Sequence, residues 1–121
     1  MQAKEKNIRA IMFVRVSSNA QDYTRQITEL TPLIKQDGYN DSEVAIIHHK
    51  ESATKNNYQN RQSLQELEQY IKSCNIECVY VHEVSRLARR SDVMYKVMGL
   101  LEENHICLTI ATPTLLRTYE N

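Results

Sequence analysis

The stretch that decides the fold runs Ile8-Arg9-Ala10-Ile11-Met12-Phe13-Val14-Arg15-Val16. Most of its side chains are aliphatic, β-branched or aromatic, and a short apolar run of this kind is typical of a buried strand. Strands that are buried on both faces belong to parallel sheets covered by helices. We therefore predict a buried strand over residues 8–16, with Arg15 as a charged side chain near its end.

The rest of the chain alternates between helical and strand patterns. A Ser-x-x-Gln capping box at Ser18 and Gln21 precedes a helical pattern that Gly38 is expected to stop. Apolar residues at 3.6-residue spacing predict a second helix over residues 64–74 and a third that has Ser91 as its N-cap. Further strands are predicted at residues 44–48, 78–82, 106–111 and 115–119.

This order of elements predicts the fold class. Strand–helix–strand alternation is typical of a three-layer α/β/α domain with a mostly parallel sheet, here of four to five strands, and with helices on both faces. The length of 121 residues suits a single core, so we expect one domain over residues 1–121.

Composition excludes several classes of protein. The chain has 2 Gly, which stand far apart, so the glycine-rich phosphate loop of nucleotide-binding enzymes is absent. Lys+Arg and Asp+Glu are both 15, and this zero net charge counts mildly against DNA binding by this chain alone. Any contact with DNA would then depend on a local arginine cluster or on another segment.

The cysteines and the N-terminal residues predict no special chemistry. Cys74, Cys78 and Cys107 lack the spacing of a zinc site, and we expect buried, reduced thiols in a cytoplasmic protein without metal or other cofactor. The first apolar run is short and contains Arg9 and Arg15, so neither a signal peptide nor a transmembrane segment is expected.

Three predicted strand ends carry unusual polar residues. Sites in open parallel sheets form beyond the carboxyl ends of the strands. The first strand leads into Ser17, and alternation places Arg15 and Ser17 on one side of it. The second ends at residues 48–52 and the third at residues 82–90, where Arg86 and Arg89 share a face if that segment is helical.

These residues also have structural interpretations. Arg15 could form a buried ion pair with Glu51 or Glu83, because a buried arginine needs a partner. Ser17 could cap the next helix, although the adjacent Ser-x-x-Gln box already satisfies that pattern. The arginines within residues 86–90 could be a solvated basic face.

Taken together, the three strand ends point to phosphoryl chemistry. Guanidinium groups bind phosphate oxygens in bidentate fashion, and several of them can neutralise a phosphoryl transition state in place of a metal. A serine among arginines also loses its proton more easily, because positive neighbours favour the alkoxide. No histidine or aspartate has an obvious claim as its base.

Four motifs, in the same order along the chain, resemble those of serine site-specific recombinases of the resolvase and invertase family. Residues 13–18, followed by Gln21 and Gln26, resemble the family's Tyr-x-Arg-Val-Ser-[Ser/Thr]-x-x-Gln opening. Glu51-Ser52-Ala53 is similar to its Glu-x-Ser-Gly/Ala turn, and Asn60-Arg61 to the arginine after its mobile loop. Residues 83–89 resemble its Asp/Ser-Arg-Leu-x-Arg signature. The resemblance implies a resolvase-like (flavodoxin-like) catalytic domain.

The resemblance also implies a mechanism. Ser17 would attack a DNA phosphodiester, form a 5′-phosphoserine link and free a 3′-hydroxyl, which later reverses the attack without metal or high-energy cofactor. The scissile phosphate would be held by Arg15, Arg61, Arg86 and Arg89. Gln21 would orient these arginines, and the supporting residues would be Glu51, Ser52 and Ser85.

The chain departs from the family pattern at several positions. Phe13 replaces a frequent tyrosine, and Ser85 and His49 stand where aspartate is often found. The loop between Ser52 and Arg61 is a few residues longer than in short resolvases. These departures leave the proton donor unassigned and the nucleophile unaffected.

The resemblance further implies partners. Family members carry a long helix for dimer and tetramer contacts and a DNA-binding domain, and neither is present in residues 1–121. We expect double-stranded DNA as substrate, contacted at its phosphate backbone, and a homodimer or tetramer of the full-length protein in the cytoplasm at the nucleoid. The 121-residue chain alone should bind DNA weakly and recombine nothing.

Two alternatives remain beside this interpretation. One is a catalytically silent recombinase-like domain that acts in DNA binding or assembly, although the set of Ser17 and its arginines is complete. The other is a flavodoxin-like binding or signalling domain, which would need an acidic pocket or a flavin-phosphate loop after the first strand. The motifs do not separate resolvases, invertases, transposases and phage integrases.

Overall fold

The computed structural model of the chain describes residues 7–16, 20–52 and 56–118. Its strands are β1 (Ala10–Val16), β2 (Val44–Lys50), β3 (Cys78–Val81), β4 (Cys107–Ile110) and β5 (Leu116–Arg117). Its helices are α1 (Ala20–Gln36), α2 (Gln62–Ser73), α3 (Val84–Leu87) and α4 (Ser91–Glu103). Within those ranges, no helix combines the length and the apolar character needed to cross a membrane.

The strands form one sheet in the order β2-β1-β3-β4-β5. β1 to β4 are parallel, and β5 is antiparallel to β4. The run at residues 8–16 therefore supplies an interior strand, and the prediction of a mostly parallel sheet is confirmed. Because parallel strands place their carboxyl ends at one edge, the ends of β1, β2 and β3 lie together.

Alternation along β1 divides the hydrophobic core into two halves. Met12 and Val14 face α1, which contributes Leu30 and Ile34. Phe13 faces the opposite side, where three helices cover the sheet with Leu64, Leu67, Leu87, Val93, Val97 and Leu101. Helices thus cover both faces, which confirms the three-layer prediction, and alternation assigns Arg15 to the same face as Phe13.

The ends of two helices test the capping predictions. Gly38 follows α1 with a φ of 96°, a conformation that side chains disfavour, so the predicted stop is confirmed. The prediction of Ser91 as an N-cap is wrong, because Arg90 has the extended backbone and its carbonyl accepts the Met94 amide. The Ser18 cap lies outside the described residues.

An ion pair ties the end of α1 to β5. Arg117 donates to both Asp37 oxygens, at 2.7 and 3.1 Å, and the Tyr80 hydroxyl donates to Asp37 Oδ2 at 2.5 Å. Although burial raises it, these hydrogen bonds hold the pKa of Asp37 below its usual value. β5 has two residues, so this contact supplements a very short strand pairing.

The cysteines only partly match the prediction. Cys74 and Cys78 are buried, but Cys107 is half-buried, so the expectation of three buried thiols is wrong for it. Cys107 begins β4 at the margin of the core half under α1, where it is incompletely covered. None of the three cysteines forms a disulfide bond.

Replacing Leu67 by alanine should lower the free energy of unfolding by about 2–5 kcal/mol, because the side chain is fully buried and its removal leaves a cavity. The matched control is Leu116→Ala, since Leu116 is 58% exposed and should change stability by about 0.5 kcal/mol or less. Urea unfolding followed by circular dichroism measures both, and equal effects would contradict this assignment of the core.

Candidate active site

Four arginines gather where β1, β2 and β3 end. We call Arg15, Arg61, Arg86 and Arg89 the arginine cluster. Sequence patterns selected all four, although they come from separate segments of the chain. Their surroundings differ, since two are buried, one is largely covered and one is exposed.

Arg15 is the centre of the cluster. It is 5% exposed, and its guanidinium donates three hydrogen bonds to backbone carbonyls. Nη1 donates to Glu51 at 3.1 Å, Nη2 to Ser85 at 2.8 Å and Nε to Arg86 at 3.3 Å. The structural alternative, an ion pair with the carboxylate of Glu51 or Glu83, is wrong for the described conformation. The acceptors are main-chain oxygens of the segments that follow β2 and β3.

The charge of Arg15 is poorly compensated. Burial, together with the positive charges of the other three cluster arginines, lowers the pKa of Arg15 to about 10. The group still carries its charge near neutral pH. A bound anion at this edge would relieve the repulsion among the four guanidinium groups.

Arg61 is held by a buried carboxylate. It is fully buried, and its Nε donates to Glu51 Oε2 at 2.5 Å, while Nη1 donates to the carbonyl of Leu87. The Ser63 hydroxyl and amide also donate to the Glu51 carboxylate. Although burial raises it, the hydrogen bonds from Ser63 and Arg61 hold the pKa of Glu51 below its usual value. Glu51 therefore binds Arg61 through its carboxylate and Arg15 through its carbonyl.

Arg86 is held by a carboxylate that sequence patterns did not select. Its Nη1 and Nη2 lie 2.9 and 3.0 Å from the two oxygens of Asp22, in the first turn of α1. Nη1 also donates to the Arg15 carbonyl at 3.4 Å. The buried amide of Gln26 donates to the same carbonyl at 3.2 Å and to the Asp22 carbonyl at 3.3 Å. The one sequence feature that could have pointed to Asp22 as a site residue is its position shortly after Ser17.

Arg89 is the exposed member of the cluster. The condition for Arg86 and Arg89 to share a helical face is not met, because α3 ends at Leu87 and Ala88 is extended. Burial of Leu87 and Ala88 in the core turns the chain outward again at Arg89. Among the described residues, no hydrogen-bond acceptor is assigned to its guanidinium.

The remaining predicted site residues lie around the cluster. Gln21 is exposed in the first turn of α1, and Ser52 and Ser85 are half-buried. Ser85 takes part through its carbonyl, which binds Arg15. Ser17 lies outside the described residues, so its position relative to the cluster stays a prediction.

The positions that depart from the family pattern have other contacts. His49 lies beside Arg15 in the strand register, and its Nε2 is 2.6 Å from Glu66 Oε1. Phe13 is fully buried in the core. Within the described ranges, no group of three His, Cys, Asp or Glu side chains could hold a metal ion.

The chemistry of this edge is that of an anion site. A groove of about 830 Å³ lies elsewhere, between the turn at Tyr58–Asn60, α2 and α4, and no cluster arginine lines it. An electropositive edge suits a polymeric anion such as a phosphodiester backbone, which presents its charge from outside.

Replacing Glu51 by glutamine should destabilise the fold by about 3 kcal/mol at pH 7, because Arg61 would remain buried without its counter-charge. The folded-state pKa of Glu51 is depressed, so its contribution is complete above about pH 4.5 and is lost on further acidification. The difference between the two proteins should therefore shrink below that pH. Urea unfolding from pH 7 to pH 3 tests this, with the exposed Asp92→Asn as control. A difference that is independent of pH would contradict the role of the ionised carboxylate.

The sequence of the chain matches a known family. A family model described as the resolvase N-terminal domain matches residues 10–120. No curated protein matches the sequence significantly.

Solved structures share the fold. The N-terminal catalytic domain of TP901-1 integrase superposes with a TM-score of 0.74 at 22% identity, over 91% of this chain and 82% of that one. The C-terminal catalytic domain of ISC1926 TnpA, an IS607-like serine recombinase, gives 0.71 at 23% identity, over 88% and 72%. A resolvase family site-specific recombinase from Streptococcus pneumoniae gives 0.65 at 17% identity, over 94% and 78%. Since the family match spans nearly the whole chain, the chain belongs to the resolvase N-terminal domain family, the catalytic domains of serine recombinases.

Proposed function

We propose that the chain, as part of its full-length protein, catalyses DNA strand cleavage and rejoining in site-specific recombination, with Ser17 as the nucleophile. The observation that carries the proposal is the convergence of four arginines at the edge where β1 leads into Ser17. Arg15, two residues before Ser17, is held in place by three carbonyls.

The four cluster arginines have different roles, which depend on their exposure. Arg89 is exposed and Arg86 retains some exposure, so these two can contact a phosphate directly. Arg15 and Arg61 are buried, and in the described conformation they contribute positive potential behind that surface. This positive potential favours ionisation of a nearby serine and stabilises charge on the transferring phosphoryl group.

The supporting residues keep the buried charges in position. Glu51 joins Arg61 to Arg15, and the Ser85 carbonyl supplies a second acceptor for Arg15. Gln21 and Ser52 flank the cluster, and we assign them the orienting and supporting roles that the family motifs imply.

The proposed reaction needs no cofactor, because each bond that breaks is replaced by one that forms. Ser17 Oγ would form a bond to phosphorus as the 3′-oxygen leaves, which gives a 5′-phosphoserine and a free 3′-hydroxyl. Attack by a 3′-hydroxyl on the phosphoserine then restores the phosphodiester and releases Ser17. The energy of the phosphodiester is conserved in the covalent intermediate.

The charge distribution limits what this chain does alone. Its net charge is zero, so the arginine cluster is a local feature, and affinity and sequence choice are assigned to other segments of the full-length protein. We propose a homodimer or tetramer of that protein, which acts on nucleoid DNA in the cytoplasm.

Replacing Ser17 by alanine should abolish the covalent protein–DNA adduct, because the attacking oxygen is removed. The recombination site of the full-length protein is first identified by sequencing recombination junctions in cells. The assay then uses this protein and a supercoiled plasmid that carries the site. Denaturing gel electrophoresis after quenching detects the adduct. Ser18→Ala, which removes the neighbouring hydroxyl, is the matched control and should keep it. An adduct in Ser17→Ala would exclude this nucleophile, and no adduct with the unaltered protein would favour a catalytically silent domain.

Replacing Arg89 by alanine should slow single-turnover cleavage by about 100-fold or more, because an accessible guanidinium at the transition state is lost. Arg90→Ala is the matched control, since Arg90 already pairs with Asp92 at 3.0 Å and lies outside the cluster. Its cleavage rate should stay within about twofold of the unaltered protein. Equal losses in both variants would mean that the segment binds DNA only through general charge.

A further inference from the structure

Asp22 makes contacts that its place in the sequence does not explain. Its carboxylate is 12% exposed, lies in the first turn of α1 and binds the Arg86 guanidinium through both oxygens. Its Oδ1 also accepts from Arg25 at 2.9 Å, and its carbonyl accepts from Gln26 at 3.3 Å. The N-terminus of a helix stabilises a negative side chain, so the carboxylate is suited to this position.

These contacts link Arg86 to both flanks of the segment that contains Ser17. On one flank, Nη1 of Arg86 donates to the carbonyl of Arg15, two residues before Ser17. On the other flank, Asp22, five residues after Ser17, holds Nη1 and Nη2. Gln26 joins the two flanks, because its amide donates to the carbonyls of both Arg15 and Asp22.

The contact of Asp22 with Nη1 and Nη2 of Arg86, which we call the clamp, holds one end of a side chain that is 14% exposed. At the other end of the guanidinium, Glu83 Oε1 lies 3.4 Å from buried Nε, in an ion-pair contact. Carboxylates at both ends therefore hold Arg86 in one orientation, and its remaining exposure leaves it accessible from the solvent side.

We propose that Asp22 is a positioning residue, which fixes the orientation of Arg86 relative to Ser17 so that Arg86 can meet the scissile phosphate. The inference rests on the proposed function and deepens it. Asp22 acts through Arg86 and does not itself touch the DNA. Its loss should therefore reduce the rate of the chemical step and leave DNA affinity unchanged, because small displacements of a catalytic group are costly in rate.

The test compares full-length Asp22→Asn and Asp22→Glu with the unaltered protein on the same plasmid. Asp22→Asn keeps the shape and loses the charge, and it should slow single-turnover cleavage at saturating DNA by about 10- to 100-fold. The Kd for DNA should stay within about twofold, and Asp22→Glu, which restores a carboxylate, should recover part of the rate. Thermal unfolding of each variant measures any loss of fold.

Two matched variants separate positioning from general effects. Asp92→Asn removes an exposed carboxylate with a similar bidentate arginine contact, and it should cleave at the unaltered rate. In an Arg86→Lys background, Asp22→Asn should cause little further loss of cleavage rate, since lysine lacks the two Nη atoms that the Asp22 carboxylate holds.

The outcomes are distinguishable. An unaltered cleavage rate in Asp22→Asn, a loss of rate that follows a loss of affinity, or effects of Asp22→Asn and Arg86→Lys that multiply would each overturn the positioning role and leave the nucleophile intact. If the unaltered protein forms no Ser17 adduct, the proposed function fails and this inference falls with it.

Discussion

The burial of the Arg15 guanidinium among three backbone carbonyls is the interaction on which the site depends. Those carbonyls belong to Glu51, Ser85 and Arg86, so one side chain at the end of β1 joins the segments that follow β2 and β3. A buried charge is expensive unless it is hydrogen-bonded, and the main chain can supply acceptors without neutralising it. The result is a fixed positive charge at the edge where parallel strands end.

The positive charges of the other three arginines are compensated according to how deeply each one is buried. Glu51 neutralises fully buried Arg61, and Asp22 partly neutralises Arg86, whereas Arg89 is exposed to solvent. The chain can therefore carry a strongly electropositive edge and still have zero net charge. An edge of this kind can bind an anion at short range, whereas a chain with zero net charge exerts little long-range attraction on a polyanion.

The predictions that failed share a cause. Ser91 was expected at the N-cap of α4, but it is the first helical residue, and the N-cap is Arg90, whose side chain pairs with Asp92. Arg86 and Arg89 would share a face if their segment were helical, but α3 ends between them at Leu87, and Leu87 and Ala88 are buried. Cys107 was expected in the core, but α1 leaves the start of β4 partly uncovered. The spacing of residues along the chain does not predict these features, because they depend on how the helices pack against the sheet.

The sequence by itself determined the layer architecture and the burial of β1, and together with the family resemblance it singled out the four arginines. Apolar periodicity and order along the chain carry that information, since burial requires it locally. Only the tertiary structure decided which atoms bind each charge. Asp22 and Ser63 had no pattern of their own, and Glu51 could equally have paired with Arg15. The sheet brings residues that are far apart in the chain close together at its strand ends. Each guanidinium is paired there in the way that gives the lowest free-energy cost of burying its charge.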